Sequence, residues 1–318
     1  MVFEYVPIRL EGRKPIRLGK HPISRNKLVD SLSNAGISLL ERLVLGIKRA
    51  DLEVYERTYQ SPITTKYQEN NVGIVRYYPA SEKSAVIVLP QRASGFYKPE
   101  KSSGLNVAQI IASYLAANCI SAYEVETPFN GSRRVTIAIN PDLGILKNTF
   151  QQAILEIRGL IDYIPEKNIG IIGVSQGAMY ASILYGIEDR LTSACLVMGG
   201  GNLADMAFES KDEFAKHLRQ YVIENSIPRE KLRDEISDVE PLNYANKRKA
   251  KNMLMINAAS DKSIPKRYAD ELREAWGYPP QHFFNAGHFI TIKEILKLPI
   301  IIPELLSVVL EHYRKTLK

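Results

Sequence analysis

A serine between two glycines is the clearest candidate for chemistry in this sequence. Ser175 lies in a Gly-x-Ser-x-Gly pattern with Gly173 and Gly177, after an apolar run and before a helical pattern. A serine on a sharp turn from strand to helix needs small residues two positions before and after it, and the helix start that follows favours developing negative charge. The pattern therefore predicts a nucleophile. A plain strand-to-helix turn with a capping serine is the alternative.

An acidic residue in a turn is the first candidate partner. Asp261 follows an apolar run and precedes an apolar residue and Pro265, which open a helical pattern. A carboxylate there would accept a hydrogen bond from an imidazole Nδ1–H and stabilise the imidazolium. A helix-capping or surface aspartate is the alternative interpretation, and Asp205, after the preceding strand, is the alternative acid.

A histidine near the end of the chain is the candidate base. His288 follows Gly287 just after the last predicted strand. It would accept the proton of Ser175 and later donate it to the leaving group. The remaining histidines are less suitable because they lie in a strand, in an inserted segment or far from any candidate turn: His282, His217, His21 and His312.

With nucleophile, acid and histidine in this chain order, the sequence resembles the α/β-hydrolase superfamily from about residue 72 to residue 315. The resemblance implies a triad of Ser175, Asp261 and His288. The segment from Asp238 to Ala245 is similar to one in acetylxylan-esterase-like and prolyl-oligopeptidase-like branches. Ser-Gln-Gly at the nucleophile also occurs in acyl-thioesterase-like branches, so it leaves the substrate open.

Acyl transfer also needs backbone donors for the oxyanion. The residue after the nucleophile, Gln176, is expected to supply one donor, and the segment after the strand ending at Pro90 is expected to supply the other. Members of the superfamily commonly have His-Gly there, whereas this chain has Pro-Gln-Arg. We favour the N–H of Arg92 over that of Gln91.

Three arginines are expected near the same edge of the sheet. Arg133 and Arg134 follow a predicted strand in a Phe-Asn-Gly-Ser-Arg-Arg turn, and Arg92 follows another. A guanidinium matches a carboxylate or phosphate, so one of these residues is a candidate for binding an anionic substrate group. An internal salt bridge or a solvated turn is the alternative. A similar turn occurs in a little-characterised branch of the superfamily, which does not identify a substrate.

Apolar runs alternate with helical patterns from about residue 72 onward, which is typical of α/β proteins. Several runs, such as residues 85–89, are continuous, as in strands covered on both faces, so we predict a mostly parallel central sheet flanked by helices. The predicted strands are Val72–Tyr78, Ala85–Pro90, Cys119–Val125, Ile169–Val174, Ser193–Met198, Asn252–Ala258 and Gln281–Asn285. The predicted helices span about residues 105–118, 146–164, 176–187, 265–276 and 300–315.

Two segments depart from this alternation. Residues 1–70 carry 12 basic and 8 acidic residues, and an apolar stripe predicts a helix from Ile37 to Glu56. Such a helix normally packs on its own domain, and membrane-surface binding is the alternative. Residues 201–250 are charged and rich in helix formers, which indicates a helical lid. We therefore predict an N-terminal helical extension (1–70) and a catalytic domain (71–318) containing the lid.

Composition narrows the class of protein. The 318 residues are 45% hydrophobic and 24% charged, with a net charge of +7, which excludes a disordered or collagen-like chain. Two cysteines argue against a disulfide scaffold, and the chain begins without a secretory signal pattern, so we expect a soluble cytoplasmic protein. The late apolar stretch is interrupted by charges and prolines and is not expected to span a membrane.

Other partner classes find little support in the sequence. No dinucleotide fingerprint, phosphate-binding loop or Cys/His zinc spacing is present, so we expect no cofactor and no metal. The basic run at residues 247–251 lacks interleaved aromatic residues, which argues against a nucleic-acid partner. The sequence leaves the oligomeric state open.

These observations predict a serine hydrolase that acts on a small-molecule ester or related acyl substrate, with an anionic substrate group left open. Peptidase, thioesterase and carbon–carbon bond hydrolase chemistry use the same triad and also remain open. A non-catalytic member of the fold that binds a small molecule or partner is the alternative from another class, because the Pro-Gln segment after residue 89 is unusual.

Overall fold

The fold is described from a computed structural model, which covers residues 3–16, 52–92, 107–135, 142–288 and 292–318, with the backbone alone for 13–16, 213 and 292–300. Its strands are β1 (Glu11–Ile16), β2 (Val54–Gln60), β3 (Val72–Tyr78), β4 (Ser84–Leu89), β5 (Ser121–Glu126), β6 (Asn168–Val174), β7 (Leu191–Val197), β8 (Met253–Ala258) and β9 (Gln281–Phe284). The helices are α1 (Val107–Ala117), α2 (Leu143–Ile161), α3 (Gln176–Ile187), α4 (Leu203–Glu209), α5 (Glu213–Glu224), α6 (Arg229–Ile236), α7 (Lys266–Ala275) and α8 (Ile292–Thr316).

Within the described residues, the strands form one sheet in the order β1-β2-β3-β5-β4-β6-β7-β8-β9. From β5 to β9 every neighbouring pair is parallel, whereas β1, β2, β3 and β5 pair antiparallel. The parallel strands require crossover connections, which the helices provide. The mostly parallel sheet predicted from the apolar runs is therefore confirmed, with strand and helix bounds that differ from the prediction mainly at the ends.

The apolar residues of the strands divide between the two faces of the sheet. In β4, Ile87 and Leu89 pack with α2 and α3, while Val86 and Val88 pack with α1 and α8. All six residues of β4 are buried, because helices cover both faces. This burial explains why the strand appears in the sequence as a continuous apolar run.

The N-terminal segment differs from its prediction. The helix expected from Ile37 to Glu56 is wrong at its end, because Val54, Tyr55 and Glu56 belong to β2, which pairs with β3. Pairing with the existing sheet edge outweighs the local helical pattern there. Residues 37–51 lie outside the described residues. The described strands on both sides of residue 70 share one sheet, and the proposed domain boundary at that residue stays a prediction.

The segment between β7 and β8, residues 201–250, contains three α-helices, α4, α5 and α6, followed by 3₁₀ turns. We call residues 201–250 the insertion. Across the described part of the chain, no helix combines the length and apolar character needed to cross a membrane.

A buried ion pair joins the turn after β5 to α2. The Arg133 guanidinium donates to both carboxylate oxygens of Glu156 at 2.7 Å, and the exposed fractions of the two side chains are 0% and 1%. Arg133 also donates to the carbonyl oxygens of Glu126 and Asn70, and the Tyr59 hydroxyl donates to Glu156. The pair therefore ties β2 and the segment before β3 to the helical layer.

We expect Glu156→Gln to lower the free energy of unfolding by about 3–5 kcal/mol, because it leaves the Arg133 cation buried without its counter-charge. Urea unfolding followed by circular dichroism measures this change. Asp270→Asn, which breaks the exposed pair of Asp270 with Lys266, is the matched control and should change stability little. Equal effects of the two substitutions would contradict the assigned importance of the buried pair.

A second, partly buried polar cluster lies at the opposite edge of the sheet from Ser175. His312 Nε2 lies 3.0 Å from the Ser193 hydroxyl, which in turn lies 2.7 Å from the Thr316 hydroxyl. The pKa of His312 is lowered to about 4, mainly by burial; a backbone hydrogen bond at Ala194 raises it and the charge of Lys315 lowers it. His312 is therefore neutral near pH 7.

His312 should make the fold less stable in acid. The unfolded chain binds a proton at this residue near pH 6.5 and the folded chain only near pH 4, so stability falls as the pH drops between these values. For this partly exposed group we expect a loss of about 1–2 kcal/mol. Unfolding free energies at pH 7 and pH 5 should differ less in His312→Gln than in the wild type. An identical pH dependence would refute the assignment.

Candidate active site

The turn at Ser175 is strained and tightly packed. Ser175 has φ 54° and ψ −115°, between the end of β6 and the start of α3, and its N–H donates to the carbonyl of Val197 at 2.8 Å. A Cβ atom on Gly173 would lie 2.0 Å from the carbonyl oxygen of Gly177, and one on Gly177 would lie 2.6 Å from that of Pro90. Only glycine fits at both positions, as in a nucleophile elbow.

The hydroxyl of Ser175 lies at one end of a hydrogen-bonded chain. Its Oγ is 2.9 Å from His288 Nε2, and His288 Nδ1 is 2.6 Å from Asp261 Oδ2. The other carboxylate oxygen of Asp261 accepts from the N–H groups of Ser263 and Ile264 at 2.8 and 2.9 Å. The turn predicted to present the acid therefore also fixes the orientation of its carboxylate.

The sheet brings these three residues together from distant parts of the sequence. Ser175, Asp261 and His288 follow β6, β8 and β9, and the carboxyl ends of parallel strands meet at one edge. The side chains of Asp261 and His288 are 4% and 13% exposed, so the contact between them is shielded from bulk water. The arrangement can pass a proton from the serine to the imidazole while the carboxylate compensates the new charge.

The alternative partners lie elsewhere. Asp205 pairs with Arg233 inside the insertion, both oxygens at 2.8 Å from Nη2. His282 Nε2 contacts Glu304 at 2.9 Å, and His312 belongs to the cluster with Ser193. His21 lies outside the described residues. His217 lies in α5 of the insertion, whereas His288 and Asp261 form the hydrogen-bonded chain with Ser175.

The segment after β4 passes beside the serine turn. Leu89 pairs with Gly173 across the sheet, and the Pro90 carbonyl closely approaches Gly177. Proline lacks an N–H, so Gln91 and Arg92 carry the next backbone donors on this side. On the other side, the N–H of Gln176 is at the first turn of α3, where no intrahelical acceptor is available. Residues 93–106 lie outside the described residues.

The prediction that one of three arginines binds an anionic substrate group is wrong for Arg133. Its guanidinium is fully buried and paired with Glu156, which is the internal salt bridge considered as the alternative. Arg134 is partly buried and is not among the described residues that line the pocket beside Ser175, and burial lowers its pKa. The sequence of the turn itself does not indicate that Arg133 pairs with Glu156, because this glutamate lies on α2, more than twenty residues further along the chain. Arg92 does line the pocket.

A pocket of about 600 Å³, counting its open mouth, adjoins Ser175 and His288. Its wall is largely apolar, with Leu146 and Phe150 from α2 and Met179 from α3. The insertion supplies the facing wall. The residues it contributes are Leu203, Met206, Ala207, Ser210, Asp212, Phe214, Ala215 and Leu218. The sequence indicated a helical insertion, but the side chains that face the site depend on how α4 and α5 pack.

The insertion also contacts the turn that carries Asp261. The hydroxyl of Ser210 donates to the Ser263 carbonyl at 2.6 Å, and Lys211 N–H donates to the Lys262 carbonyl at 2.9 Å. The insertion is thus fastened within two residues of Asp261. Across the residues for which side chains are described, no group of three His, Cys, Asp or Glu residues is placed to hold a metal ion.

Sequence comparisons give no match, either to a protein-family model or to a curated protein. Solved structures do resemble the chain. A Pyrococcus furiosus esterase, Pf2001, superposes with a TM-score of 0.55 at 15% identity, covering 84% of this chain and 94% of the esterase. An acetyl xylan esterase from Paenibacillus sp. R4 gives 0.55 at 14% identity, over 90% and 97% of the two chains.

A peptidase is also similar. The Pyrococcus horikoshii acylaminoacyl peptidase gives a TM-score of 0.57 at 11% identity, over 84% of this chain and 48% of the peptidase chain. These identities are low, so the likeness concerns architecture. Together with the parallel sheet and its flanking helices, it shows that this chain has the α/β-hydrolase fold.

Proposed function

We propose that the protein is a serine hydrolase that cleaves a carboxylic ester or a related acyl bond through an acyl-enzyme intermediate. The observation that carries the proposal is the hydrogen-bonded chain from Ser175 through His288 to Asp261, at 2.9 and 2.6 Å. The chain lies at the carboxyl edge of the sheet and faces an open pocket, so a substrate carbonyl can reach the serine.

Each step follows from the positions of these atoms. His288 Nε2 accepts the proton of Ser175 as Oγ attacks the acyl carbon, and Asp261 stabilises the imidazolium. The tetrahedral intermediate collapses, the acyl–oxygen bond breaks, and His288 donates its proton to the departing alcohol. Water then attacks the acyl-enzyme with His288 as base, which releases the acid and restores Ser175.

Backbone N–H groups supply the charge stabilisation for the oxyanion. Gln176 is one donor, because its N–H begins α3 beside Ser175. Arg92 is the second in our proposal, ahead of Gln91, since Arg92 also lines the pocket. Neither donor requires the His-Gly sequence that is common in the superfamily, because the hydrogen bond to the oxyanion comes from a peptide N–H and not from a side chain.

Ester hydrolysis is the leading reaction, and peptidase and thioesterase chemistry are the alternatives with the same triad. The similar structures include esterases and a peptidase, so they favour neither. The apolar pocket supports a small-molecule acyl substrate over an extended peptide. The insertion acts as a lid in this proposal, because it builds one wall of the pocket. A cytoplasmic location stays a prediction.

Replacing the nucleophile should abolish turnover. For Ser175→Ala we expect kcat/KM on p-nitrophenyl esters of increasing chain length to fall by about 10⁴-fold or more, as when a triad serine is removed. The wild-type protein should react with a fluorophosphonate probe, whose fluoride leaves as Ser175 Oγ binds phosphorus, and Ser175→Ala should not. Labelling is read by intact-protein mass spectrometry.

The alternative, a non-catalytic binding protein, makes the opposite prediction. Folded wild-type protein that is neither labelled nor active on any ester would favour that alternative. Ester hydrolysis that persists in Ser175→Ala would instead show that the proposed mechanism is wrong.

The two candidate acids can be separated by matched substitutions. Asp261→Asn should lower kcat by about 10³–10⁴-fold, because the amide no longer holds the correct imidazole tautomer. Asp205→Asn should leave kcat near the wild-type value, since Asp205 pairs with Arg233 in the insertion. Steady-state kinetics on one ester measures both. A large loss in Asp205→Asn with little loss in Asp261→Asn would reverse the assignment.

A further inference from the structure

An arginine and an aspartate face each other across the wall of the pocket. Arg92 follows β4 in the body of the fold, and Asp212 precedes α5 in the insertion. Arg92 Nη2 donates to Asp212 Oδ1, and the two side chains are 20% and 24% exposed. Among the described residues that line the pocket, the ionisable side chains are those of Arg92, Asp212 and His288.

Both members of the pair are held by further contacts. The Arg92 guanidinium lies 4.7 Å from the centre of the Phe214 ring, a favourable cation–π position. Asp212 Oδ1 also accepts the N–H of Phe214 at 2.9 Å, so the aspartate caps α5. The pair therefore has a fixed place beside the nucleophile.

Asp212 is an ionised partner for Arg92 near neutral pH. Burial raises the pKa of its carboxyl, but the charge and hydrogen bond of Arg92, the Phe214 amide and the nearby His288 together hold that pKa below its usual value. The two charges compensate each other. The surrounding wall, with residues such as Met179, Met206 and Leu218, is apolar.

We infer that the Arg92–Asp212 pair selects substrates whose group in the pocket is uncharged and apolar, and excludes those that carry a carboxylate there. This inference deepens the proposed function and rests on it. An anionic substrate group near Arg92 would also lie near the Asp212 carboxylate, which repels it. To avoid this, the group would have to displace Asp212 from Arg92, and the half-buried Asp212 carboxylate would then lack its cation. For Arg92, this inference replaces the expectation that the side chain binds an anionic substrate group.

The test compares two esters that differ in one terminal group. p-Nitrophenyl hexanoate ends in a methyl group, and mono-p-nitrophenyl adipate has a carboxylate in its place on a chain with the same number of methylenes. The ratio of their kcat/KM values cancels effects common to both substrates. The rate with Ser175→Ala gives the uncatalysed background.

In the wild type we expect the hexanoate to be favoured by about a hundredfold, because the adipate carboxylate would lose its hydration against the apolar wall and lie near the Asp212 carboxylate. Asp212→Asn keeps a residue that caps helices well but removes the negative charge, so the ratio should narrow by about tenfold. Arg92→Gln leaves the negative charge without its cation, so the ratio should widen. The two substitutions thus move one ratio in opposite directions.

The control is Asp205→Asn, the same substitution on a residue of the insertion that does not line the pocket. It should leave the ratio unchanged. If Asp212→Asn does not fold, as judged by circular dichroism, the widening in Arg92→Gln decides the question alone. A ratio that stays the same in the folded variants, or a wild type that prefers the adipate, would overturn the inference.

Failure of the inference differs from failure of the proposed function. Ester hydrolysis with an unchanged substrate ratio would refute only the role of the pair. Absence of both hydrolysis and fluorophosphonate labelling in folded wild-type protein would refute the serine hydrolase mechanism itself, and the inference with it.

Discussion

The backbone of Ser175 has a positive φ, which is energetically unfavourable for any residue with a side chain. The contacts around the turn compensate this cost in free energy. The absence of side chains on Gly173 and Gly177 lets β6, the segment after β4 and the first turn of α3 meet at this point. The same turn lifts the hydroxyl above the edge of the sheet. The positions of His288, the Gln176 N–H and the pocket are all defined relative to this turn.

Much of the architecture could be predicted because its signals are local. The parallel strands are continuous apolar runs, and the residues around Ser175, Asp261 and His288 lie in short turns whose sequences reflect their geometry. Each signal spans fewer than ten residues. Because each of the three turns follows a parallel strand, all three lie at the carboxyl edge of the sheet.

The features that the sequence could not reveal depend on contacts between distant segments. The sequence left Arg133 open as an anion-binding residue, because nothing in its turn indicates that its buried partner is Glu156 on α2. The pocket wall likewise depends on how the insertion packs, which set Asp212 opposite Arg92. In the N-terminal segment, β2 pairs with β3 where the local pattern favoured a helix. In each case tertiary packing outweighed local preference.

The pairing of β2 with β3 has a consequence for any shortened form of this chain. A protein that began near residue 70 would expose the edge of β3 along its length, and unpaired edges of this kind readily recruit strands from other molecules. It would also lose Tyr59, which donates to Glu156, in the buried network around Arg133. Residues 54–60 thus cover the edge of β3 as well as contributing to the core.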